Sequence, residues 1–213
     1  MRILDDRLTS VYGGVRRRRT SPFDELVLTV LSQNTTDVNS ARSFATLKRR
    51  FPDLSELAQC RPAAIAAAIR GGGLADVKAR YLRDITRRVL AEGGDLSLSF
   101  LRRQDDAAVE RWLTALPGVG PKTARVVMLF SLERDVFPVD THILRLTRRL
   151  GFIPARASAR RAHVFWDGAC PPGRALSLHV NLIRHGRAVC HPRRPACGGC
   201  VLADLCPSRE VGL

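Results

Sequence analysis

No stretch of this 213-residue chain is apolar over anything near the ~20 residues that a bilayer-crossing helix requires. The opening segment, MRILDDRLTS, carries two aspartates and no hydrophobic block, so it does not read as a secretion signal. A cytosolic protein with no membrane partner is therefore expected, in a compartment where thiols stay reduced and available to a metal. Convincing period-two alternation is also missing, which argues against strands, and there is neither an internal repeat nor a low-complexity tract. Lysine is scarce. Of 35 basic residues only Lys48, Lys78 and Lys122 are lysine, and the rest are arginine. Codon bias is the simplest cause, yet a lysine kept against that bias marks a place arginine cannot fill. Guanidinium stays protonated and is a poor nucleophile, whereas an amine can be deprotonated and attack carbon.

What the chain has in excess is positive charge. The net charge is +15 and the isoelectric point near 11.1, an imbalance that points to a polyanionic partner, with nucleic acid the leading candidate. The run Arg16, Arg17, Arg18, Arg19 reads equally as a phosphate contact or as a solvated helix end. An apolar content of 45% is enough for one large domain or two small ones with real cores.

Helical segments separated by Gly and Pro account for most of the chain. Ser21-Pro22 opens a helix to about Ser32, with Pro at its first position. Asp37 opens another that stops near Pro52. Pro62 starts an alanine-rich helix ended by Gly71, Gly72 and Gly73. A longer helix runs from Ala75 to Gly93-Gly94, one from Asp105 or Asp106 to Ala115, and one from Pro121 to about Leu132. Later helices are expected over Thr141 to Leu150, Ser158 to Trp166 and Arg174 to Arg187. The fold class is all-α, with nine or ten helices.

Four cysteines, Cys190, Cys197, Cys200 and Cys206, fall within 17 residues in the spacing C-x6-C-x2-C-x5-C. Thiolates this close on a loop rich in Gly and Pro suit a metal centre, which can order a segment with little core of its own. Two local disulfides are the alternative. On spacing alone zinc and an iron–sulfur cluster fit about equally, since only Cys197 and Cys200 form the short knuckle that zinc modules usually present twice. Cys60 and Cys170 lie far from the cluster and read as buried, unreactive thiols.

Upstream lies Leu116-Pro117-Gly118-Val119-Gly120-Pro121-Lys122-Thr123-Ala124, a tight helix-to-helix turn. Gly118 and Gly120 permit positive φ and bare backbone, Leu116 and Val119 can tuck inward, and Pro121 starts the second helix without wasting an amide. Exposed N–H groups at that helix start suit a DNA phosphate. The string is the helix-hairpin-helix motif of DNA-binding proteins. Eighteen residues after Lys122 comes Val139-Asp140-Thr141-His142, where Asp140 is placed to cap the next helix.

Taken in order, LPGVGPKTA, VDTH, HGRAVC, the cysteine tail, and Ser21-Pro22-Phe23 leading to Leu31-Ser32-Gln33-Asn34-Thr35-Thr36-Asp37 resemble the endonuclease III family of DNA glycosylases over nearly the whole chain. The resemblance implies a monomer of two helical lobes with DNA in the cleft between them. One lobe, 22–135, would be a six-helix bundle ending in the hairpin. The other, 1–21 with 136–213, would hold a [4Fe-4S] cluster on the four cysteines, ordering a loop whose Arg193 and Arg194 meet DNA phosphates. It also implies base excision from damaged duplex DNA, oxidised pyrimidines above all. The target nucleotide would be flipped from the duplex. Lys122 would attack C1′ and form a Schiff base, and β-elimination would nick the abasic strand. Asp140 would take the amine proton or stabilise the cationic sugar. At the first turn of its helix Lys122 is opposed by the macrodipole, and Arg125 one turn on is expected to add like charge. Leu74 and the Gln33-Asn34 pair are the candidates to fill the gap left by the flipped base.

Two positions depart from the well-known bacterial pattern. Gln33-Asn34 stands where that pattern has Ala-Gln, and Pro121 replaces the basic residue often found before the lysine. The alternatives are a monofunctional mismatch or uracil-type glycosylase and a non-catalytic damage sensor. Adenine-removing relatives carry a catalytic glutamate where Thr29 stands and lack the lysine. A sensor has no need of both Lys122 and Asp140.

Overall fold

A computed structural model describes residues 1–17 and 20–209. Arg18 and Arg19, half of the arginine run read above as a possible phosphate contact, lie outside the described residues. Among the described residues the regular structure is helical throughout. The helices are α1 (Arg2–Tyr12), α2 (Pro22–Leu31), α3 (Asp37–Arg50), α4 (Pro62–Ile69), α5 (Ala75–Gly93), α6 (Asp106–Thr114), α7 (Pro121–Phe130), α8 (Thr141–Arg149), α9 (Ala159–Ala169) and α10 (Ala175–Ala188). The chain divides into two units, one from Arg18 to Arg134 and one combining Met1–Arg17 with Asp135–Leu213.

The first unit holds α2 to α7. Its helix starts are written in capping side chains: Ser21 accepts from the Asp24 amide at 3.1 Å, Thr36 from Asn39 at 3.2 Å, and Asp105 from Ala108 at 2.7 Å. Such a cap satisfies one of the amides a helix start leaves without an intrahelical partner, and each contributes about 1 kcal/mol. Pro stands at the first position of α2, α4 and α7, where no amide is needed. The core is aliphatic: Leu26, Val27 and Val30 of α2, Leu82, Ile85 and Val89 of α5, and Ala124, Val127 and Met128 of α7 are all buried.

In the second unit α10 packs against both α1 and α8. Trp166 of α9 is fully buried, stacks on Phe137 at 4.3 Å between ring centroids, and donates its indole N–H to Thr147 Oγ1 at 2.9 Å. Helix α1 was missing from the sequence-based expectation. Its N-cap, Met1, supplies no capping side chain, and what fixes it is remote. Leu4 and Leu8 are buried, and the fully buried Asp5 accepts from Arg174 Nη1 at 2.8 Å and Ser177 Oγ at 3.0 Å. Helix α9 runs three residues past the expected stop at Trp166.

The turn between α6 and α7 depends on a glycine at one of its two glycine positions. Gly118 has φ of +74°, and a Cβ there would lie 2.3 Å from the Tyr81 ring of α5. Gly120 has an ordinary φ of −97° and open space where a Cβ would go. Gly118→Ala is therefore expected to destabilise the protein by about 2–5 kcal/mol, from left-handed backbone strain plus overpacking. Gly120→Ala should cost less than about 1 kcal/mol. Thermal unfolding of the two variants checks this, and equal melting points would contradict it.

Candidate nucleic-acid interface and metal centre

In the hairpin, Leu116 and Val119 are buried, and the turn closes through the Val119 amide donating to Leu116 O at 3.1 Å. Gly120 is the N-cap of α7, and its carbonyl accepts from Ala124 N at 3.0 Å. Pro121 and Lys122 are the first two residues of α7, so Lys122 sits where the helix dipole opposes a cation. The side chain of Lys122 is half-buried. Arg125 does not add the like charge expected of it. Its guanidinium grips Glu110 of α6 in a fork, Nε to Oε1 at 2.9 Å and Nη2 to Oε2 at 3.1 Å. That pairing ties the two hairpin helices together and cancels the charge.

The other two lysines are occupied. Lys48 lies 3.3 Å from Asp24 at the start of α2. Lys78 is only 2% exposed, and its ammonium donates to Leu31 O at 2.7 Å and to Gly72 O at 2.9 Å. Burial pushes its pKa down, because no water is there to solvate the charged form.

The Gln33-Asn34 pair is divided by the structure. Gln33 turns inward and donates from Nε2 to Gly118 O at 2.8 Å, bracing the hairpin, while Asn34 is exposed in the left-handed region at φ +52°. Leu74 caps the start of α5 with φ of +51° and is 55% exposed, an unusual setting for a leucine. The two loops lie side by side: a Cβ on Gly73 would be 3.8 Å from Asn34 O.

In the second unit Asp140 is the N-cap of α8, its Oδ1 accepting from Ile143 N at 2.7 Å. The residues before it are pinned from both sides. Val139 N donates to His163 Nε2 at 3.1 Å, His179 Nδ1 lies 3.0 Å from Pro138 O, and Phe137 stacks on Trp166. His163 and His179, which hold Asp140 in place through the backbone, went unnoticed in the sequence, where they look like ordinary helix residues.

None of the four tail cysteines is in a disulfide, and all line one apolar cavity, with Leu146, Leu150, Val189 and Leu202 among its other walls. Arg149 Nη1 reaches Cys190 Sγ at 3.2 Å, His185 Nε2 lies 3.4 Å from Cys200 Sγ, and Leu202 N donates to Cys200 Sγ at 3.4 Å. Burial raises the pKa of Cys200, and the other three cysteines raise it further. A thiol that resists ionisation in an apolar pocket, as Cys200 does, is what a bound cationic centre would relieve. Among the described residues no three Cys, His, Asp or Glu side chains gather as donors to a single ion. Four sulfurs around a shared apolar cavity, with N–H groups directed at Cys190 and Cys200, are a donor set that fits an iron–sulfur cluster.

Two arginines on successive turns of α8 hold this loop. Arg145 donates to Cys190 O at 3.0 Å and Gly186 O at 2.9 Å, and Arg149 to His191 O at 2.7 Å and Pro192 O at 3.0 Å. Arg193 and Arg194 beyond them are exposed, with Arg194 at φ +50°. Cys60 and Cys170 are half-buried rather than buried. Burial, with Asp135, Asp5 and Asp167 adding to it, pushes the Cys170 thiol up to about 12, so it stays protonated and unreactive.

Residues 27–167 match the HhH-GPD superfamily of base excision DNA repair proteins, and 190–206 match the iron–sulfur binding domain of endonuclease III. The chain is 33% identical over 186 residues to endonuclease III of Sulfolobus acidocaldarius, covering 86% of this chain and 81% of that one. It is 31% identical over 192 residues to endonuclease III of Escherichia coli, covering 90% and 86%. A protein of Arabidopsis thaliana with a provisional DNA glycosylase designation is 38% identical over 78% of this chain, but the match spans only 57% of that longer protein. Among solved structures the fold agrees with an endonuclease III–DNA complex at a TM-score of 0.85 and 24% identity, over 99% of this chain and 95% of that one. It agrees nearly as well with a thermostable thymine-DNA glycosylase, at 0.83 and 20% identity over 99% and 96%. The hairpin, the cysteine loop and these similarities together settle the lineage: the chain belongs to the endonuclease III family of HhH-GPD base excision DNA repair proteins and carries that family's iron–sulfur domain.

Proposed function

We infer that this protein is a DNA glycosylase with abasic-site lyase activity, removing oxidised pyrimidines from damaged duplex DNA and nicking the strand by β-elimination. The observation that carries the reading is Lys122 in the first turn of α7, two residues after Gly120 of the hairpin, in a chain that keeps only three lysines. The amine, in its neutral form, attacks C1′ of a flipped nucleotide. The bond from C1′ to the base nitrogen breaks, and the base leaves with the electron pair and takes up a proton. As a carboxylate Asp140 supplies counter-charge to the sugar while cationic character builds up; once the C1′–N bond to Lys122 has formed, it takes the amine proton and passes it to O4′. The sugar ring opens to a Schiff base on Lys122. Loss of a C2′ proton then expels the 3′ phosphate oxygen, and water hydrolyses the imine to free the enzyme.

The first turn of α7 and the turn residues Leu116, Gly118, Val119 and Gly120 are assigned to the DNA backbone, with amides meeting a phosphate. Leu74 and Asn34 are assigned to the gap left by the flipped base. Gln33 supports them by bracing the hairpin. Cys190, Cys197, Cys200 and Cys206 would hold a [4Fe-4S] cluster, whose contribution is to order the loop that presents Arg193 and Arg194 to phosphates.

Borohydride reduction traps a Schiff base as a stable amine, so it tests the lysine directly. A covalent adduct is expected on duplexes carrying thymine glycol or an abasic site, and none with Lys122→Gln. An adduct on the abasic duplex alone would move the lesion preference elsewhere. No adduct on either duplex would place the protein among monofunctional glycosylases or sensors. Asp140→Asn isolates charge from capping, because Asn caps helices as well as Asp does. It should slow excision by about 10²–10⁴-fold with an unchanged melting point. The double variant Arg193→Ala, Arg194→Ala should flatten the dependence of log K on log salt by roughly 2 without changing the melting point. An unaltered slope would remove these residues from the DNA contact.

A further inference from the structure

Lys78 plays no part in the chemistry described above, yet among the described residues it is the most deeply buried lysine or arginine, only 2% exposed. Its position in α5 explains how it reaches its partners. Helical side chains lean toward the N-terminus, so an amine on the first turn of α5 folds back onto the loop preceding that helix. One partner, Gly72 O, belongs to that loop, and the other, Leu31 O, is a terminal carbonyl of α2, left without an intrahelical donor and at the negative end of the helix dipole. Three residues beyond Leu31 is Asn34, and two beyond Gly72 is Leu74. Both are in the left-handed region, and both sit on the two neighbouring loops.

We propose that Lys78 is a positioning residue for damage recognition, clamping the 31–34 and 72–74 loops together so that Leu74 and Asn34 are set to enter the gap left by an extruded base. This rests on the glycosylase reading above and extends it from the residues that touch DNA to the one that places them.

Three observations support a positioning role over simple packing. A methionine would fill the same slot with no buried charge, and replacing a buried charge by a well-packed apolar residue is often neutral or stabilising. A methionine cannot hold two carbonyls. Arginine could not take the place either, since a planar fork with five donors has only two acceptors to meet here and needs more width. The loop is also pressed from its other side: a Cβ on Gly72 would come 2.7 Å from Ser43 Oγ of α3, so the backbone is held between α3 and the ammonium. Leu74, in a backbone state that leucine disfavours, then stands exposed where a free loop would relax. Apolar side chains of this kind act as wedges between bases.

The test uses a duplex with a reduced abasic analogue and 2-aminopurine as the opposing base, whose fluorescence reports how that base stacks when protein binds. The full-length protein is compared with Lys78→Met, Leu74→Ala and the double variant, with melting points measured alongside. Leu74→Ala is expected to abolish most of the fluorescence change. Lys78→Met should do the same, and the double variant should be no worse than either, because both remove one device. Single-turnover excision should fall about tenfold or more in all three. Should Lys78→Met fail to fold, Lys78→Gln replaces it: it keeps two N–H donors on a shorter stem, and an intermediate loss of signal is expected. A folded Lys78→Met, or in its place Lys78→Gln, with the full fluorescence change while Leu74→Ala loses it would overturn the clamp and leave the wedge standing. A silent Leu74→Ala, with the Lys122 adduct still formed, would dismiss wedge and clamp together but keep the glycosylase. Loss of the Lys122 adduct from the unaltered protein would instead sink the glycosylase reading itself.

Discussion

The closest constraint in the hairpin unit is the contact of Gly118 with the Tyr81 ring. A backbone with positive φ is pressed so near an aromatic face that even a methyl group would collide. Tyr81 comes from α5, and Lys78 lies three residues before it, which puts both on one side of that helix. One face of α5 therefore supports three irregular segments: the hairpin through Tyr81, the end of α2 through Lys78, and its own leading loop through Lys78 again. Gln33 closes the set by reaching from the end of α2 to the Gly118 carbonyl. Loops are usually the mobile parts of a protein. Here each one is anchored by a side chain or ring from a regular helix, so Asn34, Leu74 and the hairpin turn sit on loops that share one frame.

The second unit uses α8 in a similar way. Its first turn is capped by Asp140 and its last turn carries Arg149, so a helix of nine residues joins the carboxylate to the cysteine loop. Cys206 and Ser208 return to the carbonyl of Arg149, the latter at 2.9 Å, which fastens the far end of the loop to the same helix. The cysteine loop and the aspartate are thus not independent modules. They are the two ends of one short rod.

Much of this was legible in the sequence because it was encoded locally. Ser21, Thr36 and Asp105 cap their helices within three residues, and Pro121 begins α7 where its missing amide does no harm. The hairpin string and the cysteine spacing are local patterns as well, and both led to the right family. What could not be read was encoded by distant partners. Asp5 fixes α1 through Arg174, 169 residues away. The like charge assigned to Arg125 vanishes once Glu110 is seen across the turn. His163 and His179 look unremarkable along the chain, and only the fold brings them to Val139 and Pro138. Lys78 stood out as one of three lysines, but its two carbonyl partners are separated by forty residues of chain, and nothing in the spacing announces them.

The grip of Arg145 and Arg149 on the cysteine loop and the end of α10 before it falls mainly on main-chain oxygens: those of Gly186 in the helix and of Cys190, His191 and Pro192 beyond it. A loop held by its carbonyls keeps its path whatever side chains it bears. The exposed positions at 193 and 194 can therefore change identity with little loss of fold, while the cysteines and the two arginines of α8 cannot. Such a loop is a natural place for relatives to diverge in surface charge, because its outward chemistry is separated from its inward architecture.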